Sequence, residues 1–579
     1  MSSRGSLSQR LGCGALLAGL SLMVSAPSVA QAPSGPVVTV TGGKVQGRPL
    51  AAPGGAIFKG IPYAAPPVGD LRWRETQPVK PWQGVLQADQ FRHGCGVTRR
   101  AGRGGEPGNA AAPVAPEGAS TDESDQGTPE DCLYLNVWVP EWPVKGKMAV
   151  MFWINGGELA GGSGSLRSGA ESLARHGVIL VSANYRGGLL GMMGHPELTA
   201  ESPHHFSGNY AVLDEIAVLK WIHVNIARFG GDPGNVTVFG QSGGGHLTSM
   251  LLTSPMTQGL IQRAAIHSGS PFQGVRPYLT AKELENIGVV TAELFKAPAA
   301  DPIKFLRTVP AADLMAAMAP VRTKLLKDYG GQAYDEGVDG YEVTAPINEV
   351  WANHQELRIP LLVGSTGVDS GSAPAGIGNL KANATPEETR AWEQTLIEHF
   401  YKEPDLRSRA LQIYGITPGP NEVSAYAPYG TPVQQIGDDF NHRCSVAMTG
   451  MAHSAVAPTY VWEFTRTTPG RPAGHGSELR YVFGYDDLGD DASHKQSDII
   501  QQYWTNFAKT GDPNGPGLPT WPRYDATSKA SIELATDGPV VRKASRAAAC
   551  APYVEKYTRN PKLLSTGADL EVRGAGGAM

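Results

Sequence analysis

The 579-residue chain holds 72 glycines and 45 prolines, with 41% hydrophobic and 18% charged residues, a composition that builds a large core and excludes disordered and collagen-like classes. Its 49 basic and 54 acidic residues leave a formal charge of −5, so no basic field marks nucleic acid as a partner. The length accommodates several ordinary domains or one large α/β domain.

Residues 1–30 read as an export signal: Arg4 and Arg10 supply a positive start, Leu11–Val24 is apolar, and Ser28-Val29-Ala30 offers a small-x-small cleavage site before Gln31. The apolar run falls short of the roughly 20 residues that span a bilayer, and no later stretch reaches that length. The expectation is an exported protein, periplasmic or secreted, without stable membrane insertion. Cys13 lies near the start of the apolar run and leaves with it. The remaining Cys95, Cys132, Cys444 and Cys550 permit two disulfides in an oxidising compartment, with three possible pairings. Between Cys95 and Cys132, the stretch Gly96–Asp131 is rich in Gly, Ala, Pro and Glu, has no apolar period, and reads as a long surface loop.

Further along, apolar runs predict strands at Met148–Asn155, Val178–Tyr185, Val236–Gly240, Arg263–Gly269, Ile359–Ser365 and Thr459–Phe464. Asn209–Gly230 carries apolar residues at helical spacing and ends in a glycine stop. Strands alternating with helices predict an α/β fold with a large, mostly parallel central sheet flanked by helices. No internal repeat or linker divides residues 31–579, which read as one domain. The Gly-rich tail from Arg573 reads as a frayed end.

The chemistry centres on Gly240-Gln241-Ser242-Gly243-Gly244. G-x-S-x-G alone is a weak signal, but here it follows the strand Val236–Gly240 and opens a helix, the context of a nucleophile elbow. A serine hydroxyl needs a base and the base needs an orienting acid, and on this fold the chain order is Ser, acid, His. Asp369, after the strand at Ile359–Ser365, is the candidate acid, and His475, in a glycine-flanked loop, is the candidate base. No H-E-x-x-H or C-x-x-C spacing supports a metal, and the chemistry calls for no cofactor.

The segments Phe58–Trp73, Glu130–Trp138, Asn184–Leu198, Phe229–Gly245 and Trp504–Asn514 resemble, in order, the type-B carboxylesterases, the α/β-hydrolases that include cholinesterase-like and bacterial p-nitrobenzyl-esterase-like enzymes. The resemblance implies the α/β-hydrolase fold, hydrolysis of small-molecule carboxylic esters through an acyl-enzyme, and a monomer or homodimer. It gives Ser242, Asp369 and His475 the roles of nucleophile, acid (commonly Glu) and base, and it implies the pairs Cys95–Cys132 and Cys444–Cys550.

Where the family usually has His or Tyr before three glycines, this chain reads Asn155-Gly156-Gly157-Glu158. Backbone N–H groups of Gly157, Glu158 and Gly243 are the expected oxyanion donors. The Glu158 carboxylate either pairs with nearby backbone or a cation, or faces the pocket and selects hydroxylated or cationic substrates. Gln241 stands where Glu is usual and Gly243 where Ala is usual. His204 and His205 in Ser202–Asn209, and Tyr334 in Gly330–Tyr341, are candidates for the pocket entrance. A binding protein without catalysis, and a hydrolase of amides, carbamates or thioesters, are the alternatives to an esterase.

Overall fold

Runs such as Met148–Ile154 bury both sides of their backbone, and they form the middle of an eleven-stranded sheet in the computed structural model. It describes residues 35–50, 54–96, 129–157, 162–166, 169–273, 278–329, 337–369, 380–381, 383–467 and 472–560. The expected export signal, most of the loop at Gly96–Asp131, Glu158, Tyr334 and the Gly-rich tail lie outside the described residues.

In chain order the strands of the main sheet are β1 (Arg48–Pro49), β2 (Ala56–Pro62), β3 (Tyr134–Val139), β4 (Met148–Ile154), β5 (Val178–Ala183) and β6 (Gly231–Gln241). They continue as β7 (Arg263–His267), β8 (Leu361–Thr366), β9 (Thr459–Phe464), β10 (Ala530–Ala535) and β11 (Gly538–Lys543). Their spatial order is β11-β10-β9-β8-β7-β6-β4-β5-β3-β2-β1. Every pairing from β5 through β4, β6, β7, β8 and β9 to β10 is parallel, and both flanks are antiparallel. This is the α/β-hydrolase arrangement expected from the sequence. Three further strands, Val37–Val40, Gly43–Gln46 and Val85–Gln87, make a small separate sheet.

Side-chain alternation divides the core between the two faces of the sheet. On one face Val150, Phe152 and Ile154 of β4 join Val238 of β6 and Ile266 of β7. On the other Met151 and Trp153 join Phe239, Leu362 and Trp462. All six strands expected from the sequence are present, most with bounds within two residues. The exception is β6, which starts at Gly231 instead of Val236. Asp232-Pro233-Gly234 has turn chemistry, and Gly234 N–H does donate to Asp232 Oδ1 at 3.0 Å, but a register shift between Met148 and Val150 lets the segment stay paired.

The helix expected at Asn209–Gly230 is α1 (Tyr210–Asn225), prolonged by a 3-10 turn, Ile226–Phe229, and stopped by Gly230 at φ +83°. It delivers the chain to β6, and α2 (Gly243–Leu251) leaves from the strand's end. Later helices are α3 (Pro432–Asp438), α4 (Cys444–Ser454), α5 (Asp491–Thr510) and α6 (Ala547–Arg559), with one turn of π-helix, Asp439–Arg443, joining α3 to α4. Disulfides join Cys95 to Cys132 and Cys444 to Cys550, the second tying α4 to α6 across 106 residues of sequence. Among the described residues no helix is long and apolar enough to cross a membrane.

Candidate active site

The parallel sheet ends its central strands on one side, and β6 turns there sharply into α2. Ser242 occupies the turn with φ +57° and ψ −124°, a conformation that costs a non-glycine residue free energy and lifts its side chain out of the strand. Its N–H donates to His267 O at 2.8 Å at the end of β7, and its carbonyl accepts from His246 N–H at 2.9 Å. The flanking glycines are sterically required: a Cβ at Gly240 would stand 2.3 Å from Gly244 O, and one at Gly244 would stand 2.2 Å from Ile154 O.

Asp369 follows β8 after a turn at Gly367 and is 4% exposed. One carboxylate oxygen accepts from Ser268 Oγ at 2.7 Å and from Thr366 N–H at 2.9 Å. The other accepts from His475 Nδ1–H. The two loops are zipped together one residue before each side chain: Val368 and Gly474 form a parallel bridge, and Val368 N–H donates to Ala473 O at 2.9 Å. Burial opposes ionisation of Asp369, but His442, His475 and the Ser268 hydroxyl outweigh it and hold the carboxyl well below the usual carboxylate range. Burial likewise disfavours the His475 imidazolium, yet Asp369, with Glu478 and Asp438 beyond it, raises the ring above the ordinary histidine value. The His475 side chain remains 37% exposed.

The free nitrogen of this ring is not idle. Gln241 Nε2 lies 2.9 Å from His475 Nε2, and Gln241 is the residue before Ser242. A second imidazole, His442 on the π-helical turn, has its ring centre 5.6 Å from that of His475 and places its Nε2 3.1 Å from Gln273 Nε2. Asp369, His442 and His475 thus bring ligand-type atoms within 4.8 Å of one another, though Asp369 and His475 are already bonded to each other. A further set, Asp439 with Cys444 and Cys550, has its sulfurs locked in the disulfide. A cavity of about 620 Å³, lined among others by Val446, Trp462, Tyr524, Lys529 and Val554, contains none of Ser242, Asp369 and His475.

The end of β4 closes the site from the other side. A Cβ at Gly156 would meet Gln241 O at 2.6 Å and Ser242 Cβ at 3.1 Å, which sets this loop against the elbow. Gly157 has φ +137°, and Gly243 N–H is at the first position of α2, where no intrahelical acceptor exists. The entrance candidate His204 stacks on Tyr341 at 4.0 Å, with its Nδ1 3.0 Å from Glu75. Sequence reading missed Ser268, Thr366, His442, Gln273 and the contact made by Gln241. Ser268, Thr366, His442 and Gln273 lie in no spacing motif, and Gln241, though inside the elbow motif, meets His475 only once the loops assemble.

The carboxylesterase family model matches residues 34–552. The chain belongs to the carboxylesterase family. It is 34% identical to Fumonisin B1 esterase of Sphingopyxis macrogoltabida over 486 residues, 81% of each chain. It is 31% identical to Carboxylesterase 1F of Mus musculus over 525 residues, 85% of this chain and 89% of that one. A solved structure of PNB esterase aligns with TM-score 0.69 and 27% identity over 89% of this chain and 99% of that chain. This member of the family is accordingly a serine carboxylic-ester hydrolase, as the resemblance implied.

Proposed function

We propose that this carboxylesterase cleaves small-molecule esters with Ser242 as nucleophile, His475 as base and Asp369 as the acid that orients it. The observation that carries the reading is the bond from His475 Nδ1–H to a buried Asp369, at the mouth of a turn that forces Ser242 into a left-handed backbone. Asp369 fixes the tautomer in which His475 Nε2 receives a proton. Ser242 Oγ attacks the ester carbonyl, its proton passes to Nε2, and the leaving alcohol takes that proton as the acyl-enzyme forms. Water repeats the sequence and frees the acid. Backbone N–H groups of Gly157, Glu158 and Gly243 are the donors proposed for the oxygen that becomes negative.

The protein works after export, as one domain spanning residues 31–579, monomeric or homodimeric. The export reading rests on the pattern of residues 1–30 and agrees with two disulfides, which persist in oxidising compartments. Stopped-flow hydrolysis of p-nitrophenyl acetate and butyrate tests the mechanism, with fumonisin B1 assayed beside them because of the Sphingopyxis relative. A burst of p-nitrophenol equal to the enzyme concentration, absent in Ser242→Ala, is the expected result. An unchanged burst in that variant rejects the assignment.

A further inference from the structure

We infer that Gln241 is a positioning residue for the base: its amide N–H holds His475 Nε2 as an acceptor in the free enzyme, and its carbonyl accepts from the imidazolium once Ser242 has given up its proton. The inference deepens the mechanism just proposed and rests on the His475 assignment.

Three features of the site lead to it. His475 Nδ1–H is committed to Asp369, so Nε2 of the neutral ring carries a lone pair, and the group in hydrogen-bond contact with it is the Gln241 amide at 2.9 Å. Gln241 is 7% exposed and has little room to move: its backbone pairs in register with His267, and its carbonyl lies where a Cβ on Gly156 would clash. It also adjoins Ser242 in sequence, so the hydroxyl that must reach Nε2 and the amide that now touches it come from consecutive residues.

An amide and a carboxylate of the same shape act differently at this position. A carboxylate only accepts, so it favours the charged ring before any substrate arrives. An amide presents a donor to the neutral ring and, after a half-turn about its terminal bond, an acceptor to the charged one. The proton balance closes: Ser242 Oγ–H moves to His475 Nε2, the new Nε2–H donates to Gln241 Oε1, and the amide turns back when the leaving group takes the proton.

The surroundings explain why a neutral partner matters. Asp369 after β8, Asp438 at the end of α3 and Glu478 on the loop following His475 all favour the imidazolium, while His442 on the π-helical turn faces Asp369. A fourth carboxylate, usual for the family at position 241, would add to the three acids. Gln241 withholds it and keeps the base deprotonated at lower pH than a glutamate would.

The test is the pH dependence of kcat/KM for p-nitrophenyl acetate in the wild type, Gln241→Glu, Gln241→Met and His475→Ala, with folding checked by thermal melting. Gln241→Glu is expected to move the acid limb upward by about one pH unit or more, the effect of an opposite charge in contact. Gln241→Met, which supports the conclusion even if the glutamate variant fails to fold, is expected to lower the alkaline plateau about three- to ten-fold, the loss of one hydrogen bond. A folded Gln241→Glu with the wild-type acid limb, or a Gln241→Met with the wild-type plateau, overturns the inference. Activity retained by His475→Ala would instead overturn the triad beneath it, so the two failures are distinguishable.

Discussion

Among the described residues three histidines pair with a fully buried carboxylate, and the proposed mechanism uses only one of them. His267 Nδ1 meets Glu478 at 3.2 Å while Trp504 Nε1–H donates to its Nε2 at 3.0 Å, and both partners are buried among the aromatic side chains of the sheet. His453 Nδ1 meets Glu356 at 2.8 Å and its Nε2 meets Ile359 O at 2.8 Å, again fully buried. His475 pairs with Asp369 in the same way, yet its side chain is 37% exposed and its second nitrogen faces the nucleophile elbow. A carboxylate partner therefore does not make a base. What the other nitrogen faces, and whether solvent and substrate reach it, separates a catalytic pair from a structural one.

That contrast breaks most visibly at the elbow. Ser242→Ala and His475→Ala are each expected to lower kcat/KM by about 10⁴-fold or more with little change in melting temperature, and a residual rate within ten-fold of wild type would erase the distinction between the pairs. Asp369→Asn should cost about 10³- to 10⁴-fold, because an amide supports the wrong tautomer. Gly156→Ala should cost about 10²-fold, since its methyl group would push the loop off Ser242 and move the candidate oxyanion donors.

His267→Phe should behave oppositely to His475→Ala. Removing a ring that bonds both Glu478 and Trp504 is expected to lower stability by about 3 kcal/mol, since it leaves a buried carboxylate and an indole N–H unpaired. The acid limb of the pH profile should persist, moved only as far as the altered Glu478 carboxylate changes its pull on His475, because His267 itself takes no part in the proposed proton transfer. The wild-type limb itself should lie above pH ~6.5, the ordinary histidine value, because Asp369 raises His475.

A further effect, on stability alone, concerns a buried acid that no pair accommodates. Both carboxylate oxygens of Glu215 are buried without a hydrogen-bond partner, and burial, reinforced by Asp214, raises its pKa well above the ordinary carboxylate value and favours the neutral acid. The folded state then holds a proton that the unfolded state loses above pH ~4.3, so stability declines as pH rises beyond that point. Glu215→Gln should remove this slope, and the melting-temperature difference from wild type should grow in the variant's favour between pH 5 and 8. A constant difference would mean that Glu215 is ionised in the fold.

Much of the candidate site was readable before folding because its parts follow a short motif and a fixed chain order. Ser242 stands in a glycine-framed elbow, and Asp369 and His475 follow in the chain order of the fold. The central strands were readable because both faces are buried and their apolar runs are continuous. The strands of the C-terminal flank were not: β10 alternates in polarity and β11 sets Val540-Val541 beside Arg542-Lys543, although Asp537-Gly538 at the turn into β11 was an available hairpin signal. His442 was hidden for a different reason. A π-helical turn has no sequence signature, and the turn decides that this ring, among 14 histidines, stands beside His475.

The central claim is that His475, alone of the three histidines paired with a fully buried carboxylate, activates Ser242. The most direct measurement is labelling by a p-nitrophenyl phosphonate, read by peptide mass, in the wild type, His475→Ala and His267→Phe. The account predicts one phosphonate per chain on Ser242, formed about 10³-fold or more slowly without His475 and at near wild-type rate without His267. Label on another residue, or equal slowing in both histidine variants, would contradict it.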